Sequence, residues 1–233
     1  MYILAVIVRK GGAGKSTLAF SAACDAAEHG YRVLLVSADP QGDSARWAKG
    51  PDARIRPDDR FESPHGFSVL YSANVPPADE LTAYDLVIVD LPPVAEAVMW
   101  VRPHMWLMPM DGRNALEDTL PILRAMRSQG GKMVFVPNKA DAAGMGTEQV
   151  LREGIQAAMR LQPGSVCLDS IPDSAAVARV GEYALPPWKT PYGPKTLGAA
   201  AVRVVCAYVR AAAGKPKART KPKTTANVAS RWR

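Results

Sequence analysis

Cysteine and histidine are scarce in this chain of 233 residues, with three of each. Cys24, Cys167 and Cys206 stand far apart and form no C-x-x-C pair, which argues against a disulfide framework and a zinc knuckle and points to thiols in a reducing compartment. His29, His65 and His104 are scattered over unrelated segments and take no metal-binding or catalytic role. Long apolar runs are missing too. Met1–Val8 has neither a basic n-region nor a small-residue cleavage site, so it reads as a first strand and not as a signal. The stretch from Leu197 to Ala213 is interrupted by Arg203 and Arg210 and is short for a bilayer. A soluble cytoplasmic protein without membrane attachment is expected, and no internal repeat complicates the reading.

Acidic residues are absent from one region only. The chain carries 29 Lys and Arg against 22 Asp and Glu. Seven of the basic residues (Lys215, Lys217, Arg219, Lys221, Lys223, Arg231 and Arg233) lie after residue 214, where no acid occurs, so the preceding body balances at 22 against 22. From Gly214 the composition turns to Lys, Pro, Thr and Ala, a mixture that cannot offset the entropy of ordering. Residues 1–213 are therefore read as one domain and 214–233 as a disordered basic tail. Positive charges spaced by Pro and Thr offer phosphate contacts with no base-reading geometry, which predicts salt-sensitive, nonspecific DNA binding; a merely solubilising tail is the alternative. Arg203 and Arg210, seven residues apart, extend the expected patch.

Short apolar runs alternate with helical patterns along the body. Tyr2–Val8, Arg32–Val36, Phe67–Tyr71, Leu86–Val89, Met105–Met110, Met133–Val136 and Ser165–Leu168 read as buried strands. Ser16–Glu28, Asp43–Lys49, Arg113–Ser128, Thr147–Arg160 and Lys195–Ala212 read as helices, and Gly50–Pro64 as a surface loop. The alternation predicts a doubly wound, mostly parallel α/β sheet flanked by helices.

Between the first strand and first helix runs Arg9-Lys10-Gly11-Gly12-Ala13-Gly14-Lys15-Ser16-Thr17. Glycines there let backbone N–H groups approach phosphate oxygens, and the helix dipole adds to the attraction. Lys15 would contact β- and γ-phosphates and Ser16 would ligate Mg²⁺. The general phosphate-loop pattern G-x-x-x-x-G-K-[ST] fails only at its first position, Arg9. Asp90 closes the apolar strand Leu86–Val89, where an open α/β sheet places its ligands, and is the second metal candidate. Asp39, before Pro40, reads on its own as a turn or capping residue.

Lys10-Gly11-Gly12-x-Gly14-Lys15-Ser16 resembles the deviant Walker A box of the ParA/MinD superfamily of P-loop ATPases. The resemblance implies an ATP-bound sandwich dimer in which Lys10 reaches the partner's nucleotide. It also makes Asp39, in Asp39-Pro40-Gln41, the residue that positions the water attacking the γ-phosphate. Asn138, after Phe135-Val136-Pro137, and Pro172, in Ser170-Ile171-Pro172-Asp173, become candidate contacts to the base; loops after strands favour such residues in any case. The likeness extends in element order from Tyr2 to about Ala213. It leans toward the short, ParF-like plasmid partition proteins, because Arg46-Trp47 follows Asp39-Pro40-Gln41 and the chain begins in its first strand. An operator-binding helix-turn-helix is accordingly not expected. Val8-Arg9 stands where the family usually has Asn followed by Pro or Gln, and Ser37 stands where it has the first aspartate of Asp-x-Asp-Pro-Gln.

The function so implied is a partition ATPase that dimerises on ATP, binds nucleoid DNA nonspecifically and hydrolyses ATP when a ParB-like partner stimulates it. Three alternatives stay open. The same machine could position a protein cargo, the chain could be a metabolic P-loop enzyme, or it could act as a nucleotide switch with little turnover.

Overall fold

Runs of Val, Ile and Leu too uniformly apolar to turn one face to water become strands covered on both sides. The computed structural model describes residues 1–112, 114–126, 129–140 and 147–216. Along the chain lie β1 (Tyr2–Val6), α1 (Lys15–Glu28), β2 (Val33–Ser37), α2 (Asp43–Lys49), β3 (Arg60–Glu62), β4 (Ser68–Tyr71), α3 (Ala78–Leu81) and β5 (Leu86–Asp90). A 3-10 turn (Ala95–Trp100) leads to β6 (Met105–Met110), α4 (Ala115–Met126), β7 (Lys132–Ala140), α5 (Thr147–Leu161), β8 (Val166–Cys167) and β9 (Ile171–Pro172). Short helices α6 (Ala175–Ala178) and α7 (Val180–Tyr183), a second 3-10 turn (Pro187–Lys189) and α8 (Leu197–Ala213) complete it.

The sheet runs β3-β4-β2-β5-β1-β6-β7-β8, with β9 pairing the far end of β7. Every pairing is parallel except β3 with β4. That exception corrects the loop reading of Gly50–Pro64: Arg60-Phe61-Glu62 forms a three-residue antiparallel edge whose charged ends face water, which discourages further strand pairing.

Side chains alternate across the strands and build two cores. Leu4, Val6, Leu35, Ile88, Leu107 and Val134 face the layer that holds α1 and α8. Ile3, Ala5, Val36, Val89, Met108 and Phe135 face the layer with Ile122 of α4 and Ile155 of α5. Alanines 19, 22, 23 and 26 of α1 are buried and leave room for α8 to lie close. Arg210 closes this contact by pairing with the buried Asp25 of α1, and Arg203 reaches Glu28 at 3.7 Å while its guanidinium stacks on Trp188.

β1 lies between β5 and β6, so successive crossovers leave it in opposite directions. A parallel sheet opens a crevice at the carboxyl ends of the strands where its order reverses.

Candidate functional site

Glycine is required where the chain turns from β1 into α1. Gly12 and Gly14 have φ of 72° and 99°, a region that residues with a Cβ rarely adopt. A Cβ on Gly14 would also collide with the Asn138 amide. Asn138, buried at the end of β7, donates from Nδ2 to the Ala13 carbonyl at 2.7 Å. Asn138, expected from the resemblance to meet the base, is seen here bracing the phosphate loop.

Two cavities adjoin across this loop and share Gly12, Gly14 and Thr17. One is walled by Asn138, Lys139, Pro172, Asp173 and Val177. The other is walled by Lys15, Ser16, Asp39, Gln41, Asp43 and Trp47. Together they make a trough along the loop, with Asn138 and Pro172 at one end and the polar side chains of Lys15, Ser16 and Asp39 at the other.

At the polar end the structure brings together Lys15, Ser16, Asp39 and Asp90. The Lys15 ammonium lies 3.9 Å from an Asp39 oxygen, with both side chains under a tenth exposed. Asp39 is held in turn by the Gln41 N–H at 3.0 Å. The main-chain N–H groups of Ala38 and Asp39 donate to the Asp90 carbonyl at 2.8 and 3.2 Å, fastening the ends of β2 and β5 together.

Asp90 is fully buried, and neither carboxylate oxygen has a hydrogen-bond partner among the described residues. Burial pushes its carboxyl up to about 6; the Ser44 and Ser16 hydroxyls and the Lys15 ammonium oppose the rise, and the Asp39 carboxylate adds to it. A buried, unpaired carboxylate beside a serine hydroxyl is a hard oxygen pair suited to Mg²⁺. Among the described residues no three His, Cys, Asp or Glu gather as a metal cage. A cation here needs further oxygens, such as those of a phosphate.

Lys10 is placed elsewhere. Its ammonium donates to the Asp111 carbonyl at 3.2 Å and lies 3.7 Å from the Asp111 carboxylate, at the end of β6. Lys139 joins the same carboxylate at 3.4 Å. Asp111 gave no sequence signal, because an acid after a strand is ordinary loop chemistry. Ser44 gave none either, although its hydroxyl bonds to that of Ser37 at 3.0 Å. Trp47 lines the polar cavity because Gly181 of α7 leaves space for its ring.

The basic residues fare unevenly. Arg210 is committed to Asp25, and its side chain is only 24% exposed, so the expectation that it extends a free cationic patch gives way to a role in holding α8 on α1. Arg203 and Lys215 are exposed, the former shared with Glu28. Lys217, Arg219, Lys221 and Lys223 lie outside the described residues, as do Arg231 and Arg233. Among the described residues no helix is long and apolar enough to cross a membrane.

Residues 4–187 match the CobQ/CobB/MinD/ParA nucleotide binding domain. The chain belongs to this nucleotide-binding family. As a MinD/ParA-type chain it is 36% identical over 98 residues to maintenance of carboxysome distribution protein A from Gloeobacter kilaueensis, a match that spans 41% of this chain and 40% of that protein. The fold is shared with the septum site-determining protein MinD from Pyrococcus horikoshii, solved with Mg-ADP, at a TM-score of 0.71 and 18% identity over 93% of this chain and 99% of that one. It is also shared with apo McdA from Cyanothece, at a TM-score of 0.67 and 17% identity over 88% and 98% of the two chains. The doubly wound architecture read from sequence is thus the MinD/ParA fold. The curated match is a carboxysome-distribution protein, so the lean toward ParF-like plasmid partition proteins is not what the comparison returns.

Proposed function

We propose that this chain is a Mg²⁺-dependent ATPase whose nucleotide-controlled dimer positions a protein cargo inside the cell. The observation that carries the reading is the unpaired, buried Asp90 carboxylate beside Ser16 at the mouth of a glycine phosphate loop. In this reading the trough takes ATP with its base between Asn138 and Pro172. The Asn138 nitrogen is committed to Ala13, so its carbonyl oxygen is left to accept from an exocyclic amine. Backbone N–H groups of Gly11 to Thr17 and the Lys15 ammonium bind the phosphates.

Ser16 and Asp90 hold Mg²⁺, which when bound neutralises phosphate charge. Asp39, fixed by the Gln41 N–H, accepts a hydrogen bond from the attacking water and orients it toward the γ-phosphate. Lys10 leaves Asp111 and crosses to the nucleotide of a second copy, which makes the homodimer depend on ATP. Hydrolysis is slow until a partner protein stimulates it.

The match to a carboxysome-distribution protein supports a protein cargo, carried on nucleoid DNA in the cytoplasm. The second reading is plasmid partition with a ParB-like partner; the basic residues after 214 favour DNA as the track in both. The test is ATP turnover by the wild type, Lys15→Ala and Asp39→Ala, with and without Mg²⁺. Lys15→Ala should abolish ATP binding, and Asp39→Ala should bind ATP without turning it over. An Asp39→Ala chain with wild-type turnover would remove Asp39 from the mechanism. For the track, binding to random-sequence duplex is followed through a salt series, for the intact chain and for one ending at Gly214. Absence of binding in every nucleotide state at low salt refutes it.

A further inference from the structure

Ser37 and Ser44 are both fully buried, and the Ser44 hydroxyl donates to that of Ser37 at 3.0 Å. Ser37 ends β2 and stands in register opposite Asp90 of β5. Ser44 lies in the first turn of α2, seven residues on. The intervening turn is rigidly tied. The Gly42 N–H bonds to the Asp39 carbonyl at 2.8 Å, the Tyr71 hydroxyl holds the Pro40 carbonyl at 2.7 Å, and Gly42 has the φ of 63° that this course needs.

A donor count then decides what the pair can do. Two hydroxyls carry two O–H donors, and one mutual hydrogen bond uses one of them. Ser44 donates to Ser37, so the proton left is that of Ser37, which stands in register opposite Asp90, whose carboxylate oxygens have no geometric partner among the described residues. Where a second carboxylate would crowd Asp90 with like charge, the pair offers a neutral donor that can orient it.

We propose that the Ser37–Ser44 hydroxyl pair positions the metal site: Ser37, anchored by the hydroxyl proton of Ser44, holds the Asp90 carboxylate aimed at the cation beside Ser16 without adding a charge. The proposal rests on the nucleotide-and-Mg²⁺ reading of this site. Neither serine touches the reacting atoms, so both are positioning residues.

The test compares ATP affinity in EDTA and in saturating Mg²⁺ for the full chain, by calorimetry, and reads the gain that Mg²⁺ confers. Ser44→Ala, which frees Ser37 from its anchor, should shrink that gain by about tenfold or more, as disturbing an outer partner of a metal ligand does, while leaving affinity in EDTA as in wild type. Ser37→Asp, an independent change that keeps a partner for Ser44, should enlarge the gain and weaken binding in EDTA, because the added charge faces the phosphates. A role in packing alone would move thermal stability and the EDTA affinity together and leave the gain unchanged. A Mg²⁺-responsive wild type with an unaltered gain in Ser44→Ala overturns the positioning role by itself. A wild type whose ATP affinity ignores Mg²⁺ overturns the site reading as well.

Discussion

Replacing Asp90 by Asn should stabilise the metal-free chain at neutral pH while destroying its metal site. The Asp90 carboxyl sits at about 6 where an unfolded chain has 3.8, chiefly because it is buried, an effect that the Ser44 and Ser16 hydroxyls and the Lys15 ammonium only partly offset. Each tenfold change in proton affinity corresponds to about 1.4 kcal/mol, so the charged form costs the fold roughly 3 kcal/mol at pH 7. The sign follows from the direction. A carboxyl whose folded value is raised destabilises the fold above that value, and the cost fades as pH falls from about 6 toward 3.8.

Urea unfolding in EDTA, from pH 4.5 to 8, compares the wild type with Asp90→Asn. The variant should be the more stable above pH 6, by up to about 3 kcal/mol or about 6 °C in melting midpoint, with the gap closing toward pH 4.5. Adding Mg²⁺ and ATP should reverse the order, because only the wild type gains from binding. If the variant is less stable than the wild type at pH 7 in EDTA, or if the gap does not change with pH, the burial argument for Asp90 is wrong.

Other consequences are equally direct. Gly14→Ala forces a Cβ into the Asn138 amide at a φ of 99°, so it should weaken ATP binding at least tenfold and lower stability by about 1–3 kcal/mol, read by calorimetry and thermal melting. Arg210→Ala removes the arginine partner of the buried Asp25 and should cost about 2–3 kcal/mol in urea unfolding. Lys10→Ala should leave ATP affinity of the single chain intact and abolish ATP-dependent dimerisation in light scattering. Asp111→Asn, which removes the carboxylate that holds Lys10 but leaves the main-chain carbonyl, should raise the dimer fraction modestly at a given ATP concentration.

The parallel strands were legible because burial on both faces leaves an unbroken apolar run, as in Leu86–Val89. Asp43–Lys49 was legible as a helix for a different reason: glycines bound it on either side. Arg60–Glu62 was not, since three residues of an edge strand carry no period and take their conformation from β4. The glycine loop was legible because its pattern is local in sequence, whereas Asp39 on its own read as a turn residue and drew its expected role from the family resemblance. Asp111 and Ser44 could not be read. Each matters through a partner brought close by the fold, Lys10 for one and Ser37 for the other, and nothing in the separation of 101 or of seven residues announces the contact. The same limit applies to Arg210, whose spacing from Arg203 suggested an open face while the folded chain turns it onto Asp25.

Helix α1 joins two distant places. Its first turn is the phosphate loop's terminus, and just past its last turn the Tyr31 hydroxyl grips the main-chain carbonyls of Arg210 and Gly214, where α8 ends. Fourteen residues at 1.5 Å each set these ends about 21 Å apart. The end of α8 therefore lies at the floor of the molecule while the phosphate loop lies at its roof.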